Sequence, residues 1–380
     1  MPTLVKPSRP FSDELLTRYR RQGDAPADSV IAAVAEADGL TGVRLLMGWL
    51  ADTSDFSTDT QPQPVQSFFA DYAQLPDWAD PDRMKRAMGF FKKYAGQIGL
   101  TLGTYSLPYT YMGADGVQLL WLTERIKNDT ARRLQETGEW VFGVNNLKEW
   151  ISTPPPGPLH NGGPPLKKGE GVRPSGSLHP SPFFRGGTGG GVGGVKAIAR
   201  TLKIRLIHAG ARWFGLQSGR WNMDWGMPVN QEDMAGTNLA FSYIVLRGLR
   251  KLSVSATEQQ EEDYLHHVNV IGYLNGVDRE LLPANLREAY HLDQAIARRQ
   301  FRSSEAGIGL TRALLNAVAE LGGTATARPE TVRNLAAAQM RLFLGDDHAD
   351  ALGIPAASLE KRLVNVLGRL PIFPATIPGL

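Results

Sequence analysis

Residues Lys196–Phe214, KAIARTLKIRLIHAGARWF, set one histidine among apolar and small residues, with basic side chains at helical spacing around it. At about 100° per residue, Thr201, Arg205, His208 and Arg212 share one helix face, a polar stripe in an otherwise oily segment. A histidine presented this way from a buried helix is a candidate metal ligand. Ala209, Gly210 and Ala211 add little bulk beside it. That leaves room for a flat group such as a porphyrin to approach the backbone, the imidazole reaching its iron and the arginines holding its propionates. The same spacing fits a plainer arrangement, a buried histidine satisfied by a backbone carbonyl and two arginines paired with acids. The sequence leaves both open.

The chain has 380 residues, 42% of them hydrophobic, enough to bury a large core in one helical domain or two. It has no cysteine, which excludes disulfides, cysteine-held iron–sulfur clusters, thiolate-ligated haem and any cysteine nucleophile. Any haem must therefore hang on nitrogen or oxygen. The opening MPTLVKPSRPFSDELL lacks a charged region followed by an apolar one, and no run reaches the roughly 18 apolar residues of a spanning helix. The expectation is a cytoplasmic protein without stable membrane insertion.

The formal charge of +3 is concentrated in one place. Residues 154–195 contain Lys167, Lys168, Arg173 and Arg185 against Glu170 alone, and the rest of the chain is neutral. No basic stripe with interleaved aromatics remains for a nucleic-acid groove. The same stretch holds 13 of the 41 glycines and 9 of the 25 prolines, with almost no apolar period, so it reads as a disordered insert. Its segments PPLKKGEG and SPFFRGG resemble peptides encoded by a strand and its reverse complement, as a palindromic DNA insertion would give. Its glycines do not make a dinucleotide cradle, because Pro-Ser-Pro-Phe-Phe-Arg is a poor preceding strand.

On either side of the insert the apolar period is near 3.6, which predicts an all-α protein. The expected helices include Ser29–Glu36, Gly42–Ala51, Pro81–Leu100, Gly116–Phe142, Lys196–Phe214, Gln231–Leu252, Glu258–Asn275, Pro329–Leu344 and Pro355–Val366. On the Gly116–Phe142 helix, Arg133, Glu136 and Thr137 fall at i, i+3 and i+4. A cation, a carboxylate and a hydroxyl on one face suit the distal side of a haem pocket; an exposed Arg133–Glu136 ion pair is the alternative. His266 and His267 are adjacent and diverge by about 100° on a helix, so they do not chelate one metal together. Asp346, Asp347, His348 and Asp350 read as a polar helix terminus. No HExxH, P-loop or GxSxG is present to support a hydrolase.

Several of these segments, in order, resemble the latex clearing protein family of rubber oxygenases and the wider MpaB-type oxygenases. KIRLIHAGAR at Lys203–Arg212 is similar to the family's helix with the proximal haem histidine. LPDWAD at Leu75–Asp80, RRLQETG at Arg132–Gly138, MPVNQEDM at Met227–Met234, EEDYLHH at Glu261–His267 and RLFLGDDHADALGIP at Arg341–Pro355 support it. The resemblance implies a b-type haem on His208, with Arg212 and Arg205 near it, Arg133, Glu136 and Thr137 as catalytic candidates, and Arg341 as a further cofactor-side arginine. At two positions the chain departs from the rubber oxygenases. Glu136 stands where they have a lysine, and Val117, beside Gln118, stands where they have a glutamate proposed as base.

The expectation is therefore an all-α haem oxygenase with globin-like helix packing. An N-terminal helical extension, residues 1–60, precedes a haem-binding domain, 61–370, interrupted by the insert at 154–195. It would cleave a carbon–carbon double bond in an isoprenoid or other alkene smaller than rubber, with dioxygen as co-substrate. A haem-binding sensor or carrier without turnover is the alternative.

Overall fold

In the computed structural model, residues 8–123, 129–151, 196–322 and 328–356 are described. The glycine- and proline-rich stretch 154–195, with His160 and His179, lies outside them, as does the expected helix from Pro355 beyond its first residues. Among the described residues the secondary structure is helical, with a single isolated bridge between Gly113 and Phe301. The fold is all-α, as the period predicts.

Sixteen α-helices are described: α1 Asp13–Arg20, α2 Ala25–Ala51, α3 Gln63–Tyr72, α4 Pro81–Lys93, α5 Ala95–Thr101, α6 Leu107–Tyr111, α7 Gln118–Leu122, α8 Thr130–Val144, α9 Lys196–Gln217, α10 Gln231–Phe241, α11 Tyr243–Lys251, α12 Glu258–Leu274, α13 Leu286–Gln300, α14 Glu305–Gly322, α15 Pro329–Leu344 and α16 Asp346–Ala351. Local chemistry sets many of the starts. Asp80 caps α4 from just before Pro81, accepting from the N–H groups of Asp82 and Arg83, and Thr257 and Gln260 form a reciprocal capping box on α12. The side chains of Asn230 and Asn285 cap α10 and α13 in the same way.

Three expected helices divide. Pro81–Leu100 breaks at Tyr94, whose φ of −114° and ψ of 22° end α4. Gln231–Leu252 breaks at Ser242, where the backbone leaves the helical region and the hydroxyl donates to the Asn238 carbonyl at 2.8 Å. Gly116–Phe142 becomes α7 and α8, because Thr123 (ψ 81°) stops the first. A π-helical turn, Leu102–Ser106, links α5 to α6 in a stretch whose glycines and proline hide any helical period.

Helix α2 is bent sharply at Gly39, with φ 63° and ψ −157°, in the gap expected between Ser29–Glu36 and Gly42–Ala51. Asp28 bonds Arg212 of α9, and a side chain on Gly210 of α9 would run into Met47. Nineteen residues of straight helix would span about 28 Å, so two contacts only two residues apart on α9 require α2 to double back. Its first arm runs along α9 and its second returns against it. Val30, Ile31, Val34, Leu46 and Leu50 of the two arms share one core with Leu202, Leu206 and Ala209 of α9. A second core gathers the helices from α10 onward around Tyr105, Leu239, Leu246, Leu292, Leu314 and Phe343. No helix among the described residues is long and apolar enough to cross a membrane.

Candidate functional site

Helix α9 meets different surroundings on the two sides of His208. On one side Thr201, Arg205 and Arg212 are buried; on the other Ile204, Ile207 and Ala211, like His208 itself, are only half-buried. The polar stripe expected from the sequence is thus a seam, with His208 at its edge.

The buried side is engaged mainly by α2 and the residue just before it. Asp24, just before α2, accepts from Arg205 Nε at 2.6 Å and Nη2 at 2.8 Å. Asp28, in its first turns, accepts from Arg212 Nε at 2.6 Å. Lys203 donates to the carbonyls of Trp49, Asp52 and Asp55 at 2.6 to 2.7 Å, closing the opposite end of α2, and its ammonium lies 4.1 Å from the Trp49 ring centre. Acids near the start and a cation at the end also suit the dipole of α2. The Gln231 side chain bridges the carbonyls of Gly23 and Gly276 and stitches this knot to α10 and to the end of α12.

Val229 adds local strain. It has φ 46°, an unfavourable region for a β-branched residue, and its carbonyl accepts from Arg212 Nη1 at 3.0 Å. Neighbouring bonds hold the turn: Met227 N–H donates to Arg20 O and Gln231 N–H to Gln22 O.

Two sequence expectations change here. The small residues beside His208 do not all face an open slot: Ala209 is 1% exposed, and the space beyond Gly210 is filled by the Met47 sulfur. They allow close approach of α2, a common use of glycine on a packed helix. The arginines expected at propionates are held by Asp24 and Asp28. Arg212 still keeps a buried Nη2 without a partner.

His208 itself is not the carbonyl-bonded histidine of the plainer arrangement. Neither ring nitrogen has a hydrogen-bond partner among the described residues, and Nδ1 is sealed from solvent. Burial pushes its pKa down to about 4, with the cations of Arg212 and Arg133 adding to the shift and Asp24 opposing it. The imidazole is neutral at pH 7, the form a metal ligand needs. His267 contrasts with it: fully buried on α12, it meets the Val144 carbonyl through Nε2 at 3.1 Å and packs against Trp150. His266 accepts from the Asp80 N–H, so the two adjacent histidines do diverge.

On α8, Arg133 and Glu136 are both exposed and Thr137 is half-buried. Glu136 is exposed and bonds Arg132 at 2.9 Å, where the sequence suggested Arg133 as its partner. Four residues separate Arg132 from Glu136, so they are neighbours on the outer surface. Arg133 is close enough to His208 and to the buried Tyr111 hydroxyl for its charge to act on both. Thr137 is half-buried one turn on. Val117 is 4% exposed, and the Gln118 amide turns back to the Ala114 carbonyl at 2.8 Å.

Arg341 ends α15. It binds Asp346 at 2.6 Å, Asp350 at 2.7 Å and the Ile354 carbonyl at 2.8 Å, so RLFLGDDHADALGIP is a clamp at the α15–α16 corner, and the acids after it are a polar terminus as expected. No group of three or more His, Asp or Glu side chains converges as a metal cluster among the described residues.

Sequence reading did not find Asp24, Asp28, Lys203 or Gln231. The available signal was a pair of acids one turn apart at the start of α2, matching a pair of arginines two turns apart on α9.

The chain resembles known proteins on three counts. A rubber oxygenase of Streptomyces sp. (strain K30) is 23% identical over 345 residues, covering 90% of this chain and 73% of that protein. The structure of latex clearing protein LCP in the closed state superposes with a TM-score of 0.65 at 19% identity, covering 95% of this chain and 86% of that one, a similarity of fold. Residues 181–371 match the catalytic domain described as ER-bound oxygenase mpaB/B'/Rubber oxygenase. That match spans half of the sequence and includes α9 with His208, and the chain belongs to this oxygenase family.

Proposed function

We propose that this protein is a haem b-dependent oxygenase that oxidatively cleaves a carbon–carbon double bond in an apolar isoprenoid or other alkene, with His208 as the iron ligand. The observation that carries the reading is His208: a neutral imidazole with no hydrogen bond to either nitrogen, on the family's catalytic segment, flanked by half-buried Ile204, Ile207 and Ala211. Nδ1 is sealed, which leaves Nε2 as the ring nitrogen open to a ligand, and a neutral imidazole bonded to no protein group is suited to take a metal. The residues therefore fit a porphyrin, and haem would supply dioxygen activation when bound.

The protein's own groups divide the remaining work. The Asp24–Arg205 and Asp28–Arg212 pairs fix α9 on both sides of His208 and so fix the direction of its ring. Ile204, Ile207 and Ala211 offer an apolar wall that suits an alkene and excludes water. Arg133 brings positive charge to this side of α9, and Thr137 a hydroxyl. Glu136 serves as acid or base only by leaving Arg132.

The visible absorption spectrum of protein from haem-supplemented cells, set beside that of His208→Ala, tests the reading. A Soret band lost or shifted in the variant supports it, and no band in the folded, haem-supplied parent overturns it. The surface pairing of Glu136 and the buried Val117 favour a second reading, a haem-binding sensor or carrier without turnover. Alkene-dependent oxygen uptake in the presence of reductant separates the two.

A further inference from the structure

A second group of chemically active side chains lies around the π-helical turn, built from α6, α11, α13 and α15. The extra residue of a π-turn widens the helix locally, a feature found often at functional sites. Here it carries Tyr105, with Tyr109 one turn further on. Both rings face the guanidinium of Arg247 on α11, each centre 5.9 Å from it, and Tyr243 faces it at 5.8 Å. Lys251, one turn after Arg247, places its ammonium 5.6 Å from the Tyr105 ring.

The donors in this group outnumber their acceptors. Arg247 has five N–H groups and makes one hydrogen bond among the described residues, to Asp293 at 3.3 Å, with its side chain 32% exposed. Lys251 bonds the Phe343 carbonyl at 2.7 Å and reaches Leu342 O only at 3.4 Å. The hydroxyls of Tyr105 and Tyr243 make no hydrogen bond among the described residues; the two rings are buried, at 1% and 6% exposure, under the more open Arg247 and Lys251. Among the described residues the one facing anion, Asp293, is saturated: Tyr109 donates to one oxygen at 2.7 Å, and Arg247 and Gln294 donate to the other. The neighbouring cation Arg250 is taken by Glu261. What remains among the described residues is two positive charges against one negative, with two phenol donors and the free N–H groups of Arg247 beside them. Burial and Arg247 together push the Lys251 pKa down, as expected of two cations held close without a second anion between them.

We propose that Arg247, Lys251, Tyr105 and Tyr243 form a binding site for a small oxyanion, a phosphate or carboxylate group, separate from the His208 site. Guanidinium, ammonium and phenol are all donors, and together they match an acceptor-only ligand. Asp293 and Tyr109 hold Arg247 from behind and leave its outer edge to the ligand.

Isothermal titration of the full chain with inorganic phosphate and, separately, acetate at constant ionic strength tests this. Saturable binding of either anion is expected, weakened about tenfold in Tyr243→Phe, which removes one oxygen and keeps the ring, and further in Lys251→Met. Preference between the two anions distinguishes a phosphorylated from a carboxylate ligand. Absence of saturable binding by both anions overturns the proposal, as does unchanged affinity in the two variants. His208→Ala leaves the binding intact, because the anion site does not depend on haem.

Discussion

The two sides of α9 carry the same chemistry to different ends. Lys203, Arg205 and Arg212 find partners in and beside α2 and become structural; His208, within five residues of each of them, finds none among the described residues and keeps its lone pair uncommitted. What separates a docking residue from a site residue here is whether the facing helix supplies a partner, which residue type alone does not reveal.

Removing His208 breaks the comparison most sharply. His208→Ala should abolish the Soret band and alkene-dependent oxygen uptake while leaving the urea midpoint of the haem-free protein nearly unchanged, since no hydrogen bond is lost; a large fall in that midpoint would make His208 structural. Asp24→Asn should do the reverse. Loss of one partner of a buried pair costs about 3–5 kcal/mol, so denaturation should shift strongly while the folded fraction still binds haem. If stability is unchanged, α2 is not what fixes α9.

Acid should affect the structural histidine through stability. Burial depresses the His267 pKa to about 3, below its unfolded value near 6.5. The unfolded chain therefore takes up a proton that the folded chain refuses. The His267 contribution is complete above pH 6.5 and is lost as pH falls toward 3, reaching about 3 kcal/mol by pH 4. Urea midpoints measured from pH 7 to 4 should fall, and less steeply in His267→Asn. Equal slopes would assign the acid sensitivity elsewhere.

The smallest stability effect is expected at the surface. The Arg132–Glu136 pair is exposed and worth well under about 1 kcal/mol, so Glu136→Gln should not move the unfolding midpoint. Its informative readout is oxygen uptake with haem retained: a loss gives Glu136 a chemical role despite its surface position, and unchanged turnover removes it from the mechanism.

Helix positions were largely legible because their signal is local. The 3.6-residue period, the prolines that open α4 and α15 and the caps in the sequence located most elements, and Pro329–Leu344 matches residue for residue. The breaks at Tyr94 and Ser242 were not legible, since each depends on single backbone angles within otherwise continuous apolar patterns. The π-turn was hidden by its own composition, Gly103 and Pro108 arguing against a helix that the surrounding core nevertheless imposes. For the candidate site, the sequence singled out His208, but it paired Glu136 with Arg133 where the partner is Arg132, because spacings of three and four residues both bring a cation within reach.

By itself, the sequence determined the helical class, the absence of any cysteine chemistry, the break between the arms of α2 and the prominence of His208, all of which follow from residue type and near-neighbour spacing. The tertiary structure decided which charges are spent. Asp24 and Asp28 lie about 180 residues before the arginines they bind, and Lys203 reaches carbonyls about 150 residues away. Such partners are set by how two helices pack, and only packing separates the satisfied cations of α9 from the histidine left with none.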